Sequence, residues 1–186
     1  MNPFVSFTLS ADKPQRRQLL GSTMPTNEGL AYATILSDAY FYKAGDDTRV
    51  TSFARLCELT GETSVLEALT KARSQGCLSE GERELSNEIQ LLLRSVGGKE
   101  IYVRRSMSGT TTLDTSAYAI DSLGTIVKEA RDDEVELCDS HQFWYLRFRD
   151  DDPLIFIAAP SNFIDEVVRR NCQTCLKVGH DFVYCM

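Results

Sequence analysis

The sequence predicts an α+β fold, in which a helical N-terminal half packs with a C-terminal antiparallel β meander that is followed by one helix and a short tail. Apolar residues recur at helical spacing up to Gly97-Gly98 and alternate after it, which separates helices from strands along the chain. The 186 residues are 42% hydrophobic and 25% charged, which is typical of a globular chain and excludes a disordered or low-complexity one.

Four helices are predicted before Gly98, each from its apolar spacing and its capping residues. The segment NEGLAYATILSDAYFYK is apolar on most sides and predicts a buried helix ending before Gly45. Ser79 with Glu82 fits a capping box that opens the last of the four, which Gly97-Gly98 ends. The four helices are expected over residues 27–43, after Thr51, after Thr63 or Ser64, and from Ser79 to Val96.

Six short segments after Gly98 are rich in β-branched and aromatic residues and are separated by turn signals. They are IYVRR, TSAYAI, TIVKEA, EVELC, FWYLRF and LIFIAA. This spacing predicts an antiparallel meander of about five or six strands. Pro160-Ser161 then opens a helix, with Ser161 as its cap and Phe163, Ile164 and Val167 on its apolar face.

The chain divides into three parts by composition. Residues 1–26 are expected to form a strand at Phe4–Leu9 and a linker, residues 27–170 the α+β body, and residues 171–186 a separate tail. The first residues lack the basic start and apolar core of a signal peptide, and no apolar run approaches 18 residues. We therefore expect an intracellular, cytoplasmic protein with no membrane span. A nuclear location also agrees with these observations.

The charge of −7 is concentrated in the middle of the chain. Residues 27–159 hold 23 acidic and 14 basic side chains, whereas residues 1–26 are net positive and residues 160–186 are neutral. Because nucleic-acid binding requires cations that neutralise phosphates, any such contact is expected near an end of the chain.

The tail carries the clearest chemical pattern, Cys172-x2-Cys175-x4-His180-x4-Cys185. Three thiols and one imidazole within 14 residues make a complete tetrahedral ligand set for Zn²⁺. Clustered cysteines in an intracellular chain indicate a metal rather than disulfides. Four protein ligands leave no open position, so we expect one structural zinc ion per chain and no catalysis at it.

This tail resembles the CCHC zinc knuckle of retroviral nucleocapsid and cellular RNA-binding proteins, over residues 172–185 only. The ligand spacing matches, and Gly179 precedes His180 as it does in that family. The resemblance implies stacking on unpaired bases of single-stranded RNA or DNA. The residues expected to make that contact are Arg169, Arg170, Lys177, Phe182 and Tyr184.

Two alternatives to this interpretation remain open in the sequence. Cys138 and His141 could join Cys172 and Cys175 in a ligand set of the zinc-ribbon type, replacing His180 and Cys185. Separately, the arginines of the predicted strands, at 104, 105, 147 and 149, lie among aromatic residues, a pattern that also occurs on sheets that bind single strands.

Two functions follow from these residues, and neither is enzymatic. The first is a zinc-binding protein that contacts single-stranded nucleic acid or a nucleoprotein partner through its C-terminal knuckle. The second is a protein-interaction or assembly module, such as a viral accessory or structural protein, in which zinc is purely structural. The acidic body and the apolar residues of the tail, Leu176, Val178, Phe182 and Val183, favour the second. The sequence leaves the oligomeric state undetermined.

Overall fold

The computed structural model describes residues 17–19, 29–43, 45–106, 114–131, 134–150, 152–179 and 183–185. The predicted strand Phe4–Leu9 lies outside these ranges. Within them the chain forms strands and helices in an α+β arrangement, which confirms the predicted class. No helix among the described residues is both long enough and apolar enough to cross a membrane.

Strands and helices are interspersed along the chain, with strands at both ends of the described part. The strands are β1 (Arg17–Leu19), β2 (Leu30–Leu36), β3 (Ala39–Lys43), β4 (Asp46–Val50), β5 (Leu78–Glu80), β6 (Glu100–Ser106), β7 (Asp114–Ala119), β8 (Glu134–Asp139), β9 (Tyr145–Phe148), β10 (Leu154–Pro160), β11 (Cys175–Val178) and β12 (Val183–Cys185). The α-helices are α1 (Phe53–Thr60), α2 (Val65–Ser74), α3 (Asn87–Val96), α4 (Leu123–Glu129) and α5 (Ser161–Arg170).

A seven-stranded antiparallel sheet forms the centre of the fold, in the order β11-β2-β10-β9-β8-β6-β7. Strands β6 to β10 all lie in this sheet, but they do not form the simple meander that was predicted, because β8 pairs with β6 and not with β7. Strands β2 and β11 extend the sheet beyond β10. A three-stranded sheet, β4-β3-β5, and a two-stranded pair, β1-β12, complete the strand pairing of the described residues.

The large sheet is covered on both faces, and alternate residues of its strands enter two separate cores. One core joins the sheet to α3, α4 and α5, and includes Ile35, Leu137 and Ile157. The other joins it to α1, α2 and the small sheet, and includes Tyr32 and Phe156. Residues 152–159, which contain most of β10, are all buried, because both cores need their side chains.

The predicted helix over residues 27–43 is wrong, because Leu30–Leu36 and Ala39–Lys43 form the strands β2 and β3. A continuous apolar run suits a strand buried on both faces as well as it suits a buried helix. β2 lies between β10 and β11, and residues 32–37 are all buried. The N-terminal half is therefore mixed rather than helical.

Two further elements differ from the prediction, one in its type and one in its start. The segment TIVKEA lies in α4 rather than in a strand, because Leu123, Ile126 and Val127 fall on one helix face that packs into the first core. The predicted helix from Ser79 starts later, since Leu78–Glu80 pairs with β3 and Ser86 caps α3. The predicted helices after Thr51, after Ser64 and from Ser161 are confirmed as α1, α2 and α5. Two predicted caps are wrong, because Ser52 rather than Thr51 caps α1 and Ser161 is the first residue of α5, after Pro160.

The buried carboxylate of Asp139 organises the turn between β8 and β9. Its Oδ1 accepts hydrogen bonds from the backbone N–H groups of Phe143 (2.6 Å) and Trp144 (2.9 Å). Its Oδ2 accepts from those of Gly98 (2.9 Å) and His141 (2.9 Å). The carboxylate thereby fixes this turn against the C-terminal end of α3.

The glycine pair that ends α3 is required by this close approach. A Cβ at Gly97 would lie 2.7 Å from the indole nitrogen of Trp144, and one at Gly98 would lie 1.9 Å from Ser140 Oγ. The Trp144 indole donates to the Leu93 carbonyl over 3.1 Å, so the indole itself caps α3.

Two arginines attach other elements to the ends of the large sheet. Arg83 is fully buried, with its Nη1 donating to the Ala130 carbonyl and its guanidinium stacked 4.6 Å from the Phe148 ring centroid. Arg73 of α2 donates two parallel hydrogen bonds to the carboxylate of Asp152, at 2.8 and 2.7 Å. These contacts connect α2 and the segment before α3 to the strands of the large sheet.

We expect Asp139→Ala to lower the free energy of unfolding by roughly 3–5 kcal/mol, because buried N–H groups would lose their acceptor. Urea unfolding followed by circular dichroism measures the change. The matched control is Asp121→Ala, whose side chain is 87% exposed and which should change stability by no more than about 0.5 kcal/mol. A loss below about 1 kcal/mol in Asp139→Ala would show that the turn does not depend on this carboxylate.

Candidate functional site

The first two predicted zinc ligands lie in a single turn, Asn171–Cys175, which we call the cysteine turn. It continues directly from α5, and the Asn171 carbonyl accepts hydrogen bonds from the backbone N–H groups of Thr174 (3.0 Å) and Cys175 (2.7 Å). A side-chain bond from Ser86, the cap of α3, reaches Asn171 Oδ1 over 3.1 Å. The turn is therefore wound like one further turn of helix and held by α3.

The cysteine turn also binds the end of β2, which is a strand of the large sheet, and the start of α1, which packs on the other face of that sheet. The Thr174 carbonyl accepts from the N–H of Leu36, the last residue of β2, over 2.7 Å. The Gln173 carbonyl accepts from the N–H of Phe53, the first residue of α1, over 2.9 Å. A change in the turn would therefore be transmitted to both β2 and α1.

The two thiols of the turn differ in their surroundings. Cys172 is exposed, whereas Cys175 is 3% exposed and packs in the first core. Burial is the main cause that raises the pKa of the Cys175 thiol to about 12; a hydrogen bond with Thr174 lowers the pKa and the nearby Cys172 raises it. In the metal-free chain, Cys175 is therefore protonated at neutral pH and Cys172 is the accessible thiol.

Of the other predicted zinc ligands and stacking residues, the structure describes only two, and only their backbone. His180 and Phe182 lie outside the described residues. Cys185 and Tyr184 are placed by their backbone in β12, where Cys185 is opposite Arg17 and Tyr184 is opposite Gln18. The four-ligand set and the stacking role of Phe182 and Tyr184 therefore stay predictions.

The alternative ribbon set is not assembled. Cys138 lies in β8 and packs in the second core, on the face of the sheet opposite to that of Cys175. Four strand spacings separate β8 from β11, or about 19 Å. Two thiolates on one zinc ion lie at most about 4.6 Å apart. His141 is on the exposed turn after β8, and no metal-binding group occurs among the described residues.

The three cations predicted to meet nucleic acid each lie next to a carboxylate. Lys177 Nζ is 2.5 Å from Asp165 Oδ1. Arg169 donates to both oxygens of Glu166, and Arg170 contacts the same carboxylate. Arg169 is the most exposed of the three, at 68% of its side chain. These ion pairs reduce the positive charge that the surface of α5 and β11 offers to phosphate.

A small open cleft of about 220 Å³ adjoins the cysteine turn through Thr174. Its charged lining is Asp38, Arg49 and Glu84, and Arg49 Nε donates to Asp38 Oδ1 over 2.7 Å. With the guanidinium paired, the cleft presents hydroxyl groups and carboxylate. Such a lining favours a hydrogen-bonding or cationic group of a partner over a phosphate.

Two of the four strand arginines that could have offered a nucleic-acid-binding sheet surface are buried. Arg104 is 6% exposed and Arg147 is 2% exposed, so the large sheet does not present them to nucleic acid. They flank Glu136 in one cross-strand row, because Arg147 is opposite Glu136 and Glu136 is opposite Arg104. Arg104 Nε lies 2.6 Å from Glu136 Oε2, and Arg147 Nε lies 2.5 Å from Glu134 Oε1.

This buried row makes Glu136 sensitive to pH. Burial raises the pKa of Glu136 to about 7, although Arg104 favours the ionised carboxylate. A carboxyl group whose pKa is higher in the folded chain than in the unfolded chain binds its proton more tightly when folded. Its contribution to stability is therefore complete below the unfolded pKa and is lost as the pH rises to about 7.

We expect the stability of the wild type, relative to Glu136→Gln, to fall between about pH 4.5 and pH 7 by roughly 3 kcal/mol, the equivalent of this shift. The glutamine keeps the shape of the neutral carboxyl and cannot ionise. Urea unfolding of both proteins at several pH values measures the difference. An increase of the relative stability with pH would show instead that the ion pair with Arg104 outweighs the cost of burial.

The comparisons with known proteins add no relative. No protein-family model matches the chain, and neither the curated proteins nor the solved structures contain a match. The role of the site must therefore be argued from the geometry of the cysteine turn and its neighbours.

Proposed function

We propose that this protein is a non-enzymatic protein-interaction module in which zinc, held by Cys172, Cys175, His180 and Cys185, fastens the C-terminal tail to the body. The observation that supports this best is the position of β11. Residues Cys175–Val178, the first half of the predicted knuckle, pair with β2 as the edge strand of the large sheet. A tail built into the sheet suits a structural zinc ion better than a freely presented nucleic-acid-binding finger.

The packing of β11 agrees with a structural role. Leu176 and Val178 are partly buried against the second core, while Cys175 enters the first. The apolar residues between the zinc ligands thus contact the body of the protein. They are not available as a separate surface for bases.

The spacing of Cys172 and Cys175 in the cysteine turn suits two ligands of one zinc ion. Two thiols three residues apart in a helical turn lie on the same side of the chain and suit one tetrahedral ion. A zinc ion, as a Lewis acid, would displace the thiol protons and hold the tail through its coordination bonds. The backbone bonds from Leu36 and Phe53 would keep the turn in place while His180 and Cys185 approach it.

The charges favour a protein partner. Residues 27–159 carry a large acidic excess, and Lys177, Arg169 and Arg170 are paired with carboxylates. An acidic surface attracts a basic partner and repels the nucleic-acid backbone. We therefore expect a partner that presents lysine or arginine side chains.

Binding of single-stranded nucleic acid is the second candidate, and the exposure of the same three cations favours it. Lys177 and Arg170 have 46% and 43% of their side chains exposed, and α5 and β11 bring them to one side of the protein. Phosphates could replace Asp165 and Glu166 as their partners. Stacking by Phe182 and Tyr184 would then add to the affinity.

We expect one zinc ion per chain in protein purified with zinc, and we expect Cys185→Ser to lower that stoichiometry because it removes a ligand. Cys138→Ser is the matched control, a buried cysteine far from the turn that should leave the zinc content unchanged. Metal analysis after gel filtration measures both. A dependence on Cys138 with none on Cys185 would contradict the proposed ligand set.

We expect a single-stranded RNA of about 20 nucleotides to bind the zinc-loaded protein no more tightly than about 100 μM at low salt. Filter binding at two salt concentrations measures this. Binding with a slope of about −2 to −3 in log[salt], reduced by about 0.7 in Lys177→Gln, would support the nucleic-acid candidate instead. Lys43→Gln, an exposed lysine at the end of β3, is the control that should leave any binding unchanged.

A further inference from the structure

We propose that Cys172 and Cys175 form a reversible disulfide with each other, with Cys172 as the attacking thiol and Cys175 as the resolving thiol. The pair shares two residues with the proposed zinc site, but the disulfide itself does not require zinc. The winding of the cysteine turn and the contrast in exposure between its two thiols support this disulfide.

The winding of the turn brings the two cysteines within bonding range. The bond from Cys175 N–H to the Asn171 carbonyl spans four residues, as in an α-helix. Residues three apart in such a turn have Cα atoms about 5 Å apart. That separation lies within the range of about 4.4–6.8 Å seen in disulfides, and the Cβ atoms need to approach by only about 1–2 Å. Both thiols are free in this structure.

The difference in exposure assigns the order of attack. A dissolved oxidant reaches Cys172, which is exposed, before it reaches Cys175, which is 3% exposed in the core. The buried thiol can nevertheless attack a neighbouring sulfur without contacting solvent. Cys138 is excluded as the partner because it is buried on the opposite face of the sheet.

The co-reactant is a small disulfide such as oxidised glutathione. The Cys172 thiolate attacks one glutathione sulfur, breaks its S–S bond and releases one glutathione thiolate, which leaves a mixed disulfide on Cys172. Cys175 gives up its proton, attacks Cys172 Sγ and releases the second glutathione. Two protein thiols are oxidised, one glutathione disulfide is reduced to two thiols, and the two protons pass to the products.

The disulfide would hold the cysteine turn in the arrangement that the structure shows. A bridge across the cysteine turn fixes the carbonyls that accept from Leu36 and Phe53, so the ends of β2 and α1 stay bound. It also removes both thiolates from the proposed zinc site. The competition between zinc and the disulfide is the one consequence that rests on the proposed function.

The test uses the full-length protein, freed of metal with a chelator and equilibrated in glutathione buffers near pH 8. After acid quenching, alkylation and trypsin digestion, the peptide Asn171–Lys177 contains Cys172 and Cys175 and no other cysteine. Under oxidising conditions we expect it to carry no alkyl group and to have a mass two hydrogens below that of the unmodified peptide. Under reducing conditions we expect it to carry two alkyl groups. Because zinc is absent, a failure of the zinc proposal leaves this result unaffected.

Two variants identify the roles of the cysteines. Cys175→Ser should accumulate a stable single glutathione adduct on Cys172, because nothing resolves it. In Cys172→Ser, glutathione disulfide should modify Cys175 at least tenfold more slowly than it modifies Cys172 in the wild type. Cys77→Ser, which removes a half-buried thiol elsewhere, is the control that should behave as the wild type.

Three outcomes would overturn the proposal. The first is a lasting glutathione adduct on Cys172 in the wild type. The second is a bond from Cys172 to Cys57 or Cys185, which would appear as a cross-linked pair of peptides. The third is equal modification rates at Cys172 and Cys175 in the single variants, each verified as folded by circular dichroism.

Discussion

The structure depends on the burial of the large sheet on both faces. Residues 152–159 and 32–37 are buried throughout, so β10 and β2 contribute side chains to both cores. Each face then needs its own cover, which α3, α4 and α5 provide on one side and α1, α2 and the small sheet on the other. This requirement explains why an apolar segment such as 30–36 becomes a strand, and why the helices must be distributed over two layers.

The position of the tail follows from the same requirement. β11 pairs with β2 as the edge strand of the sheet. The cysteine turn that leads into β11 is hydrogen-bonded to α3, β2 and α1. The cysteine pair is therefore connected to the body by two backbone hydrogen bonds, to β2 and α1, and by one side-chain hydrogen bond to α3. A zinc ion or a disulfide in this turn would act on the ends of elements that belong to both layers.

The charged groups in the sheet show how local patterns mislead. In the sequence, Arg104 and Arg147 resemble the solvated arginines of a half-exposed sheet, but they are buried beside Glu136 and Glu134. Strand register decided this, because it places opposite charges next to each other across β6, β8 and β9. Likewise the order of the strands, and no local signal, separates Cys138 from the cysteine turn.

The sequence by itself determined the α+β class, five of the six strand segments after Gly98, the helices α1, α2 and α5, and the ligand spacing of the tail, because turns and apolar spacing are local properties. Only the tertiary structure decided whether the segments 27–43 and 123–129 were strand or helix. Their local preferences are ambiguous, and burial on two faces of a sheet or on one face of a helix resolves them. It likewise decided that Cys175 is buried while Cys172 is exposed, since exposure depends on what packs against the edge strand.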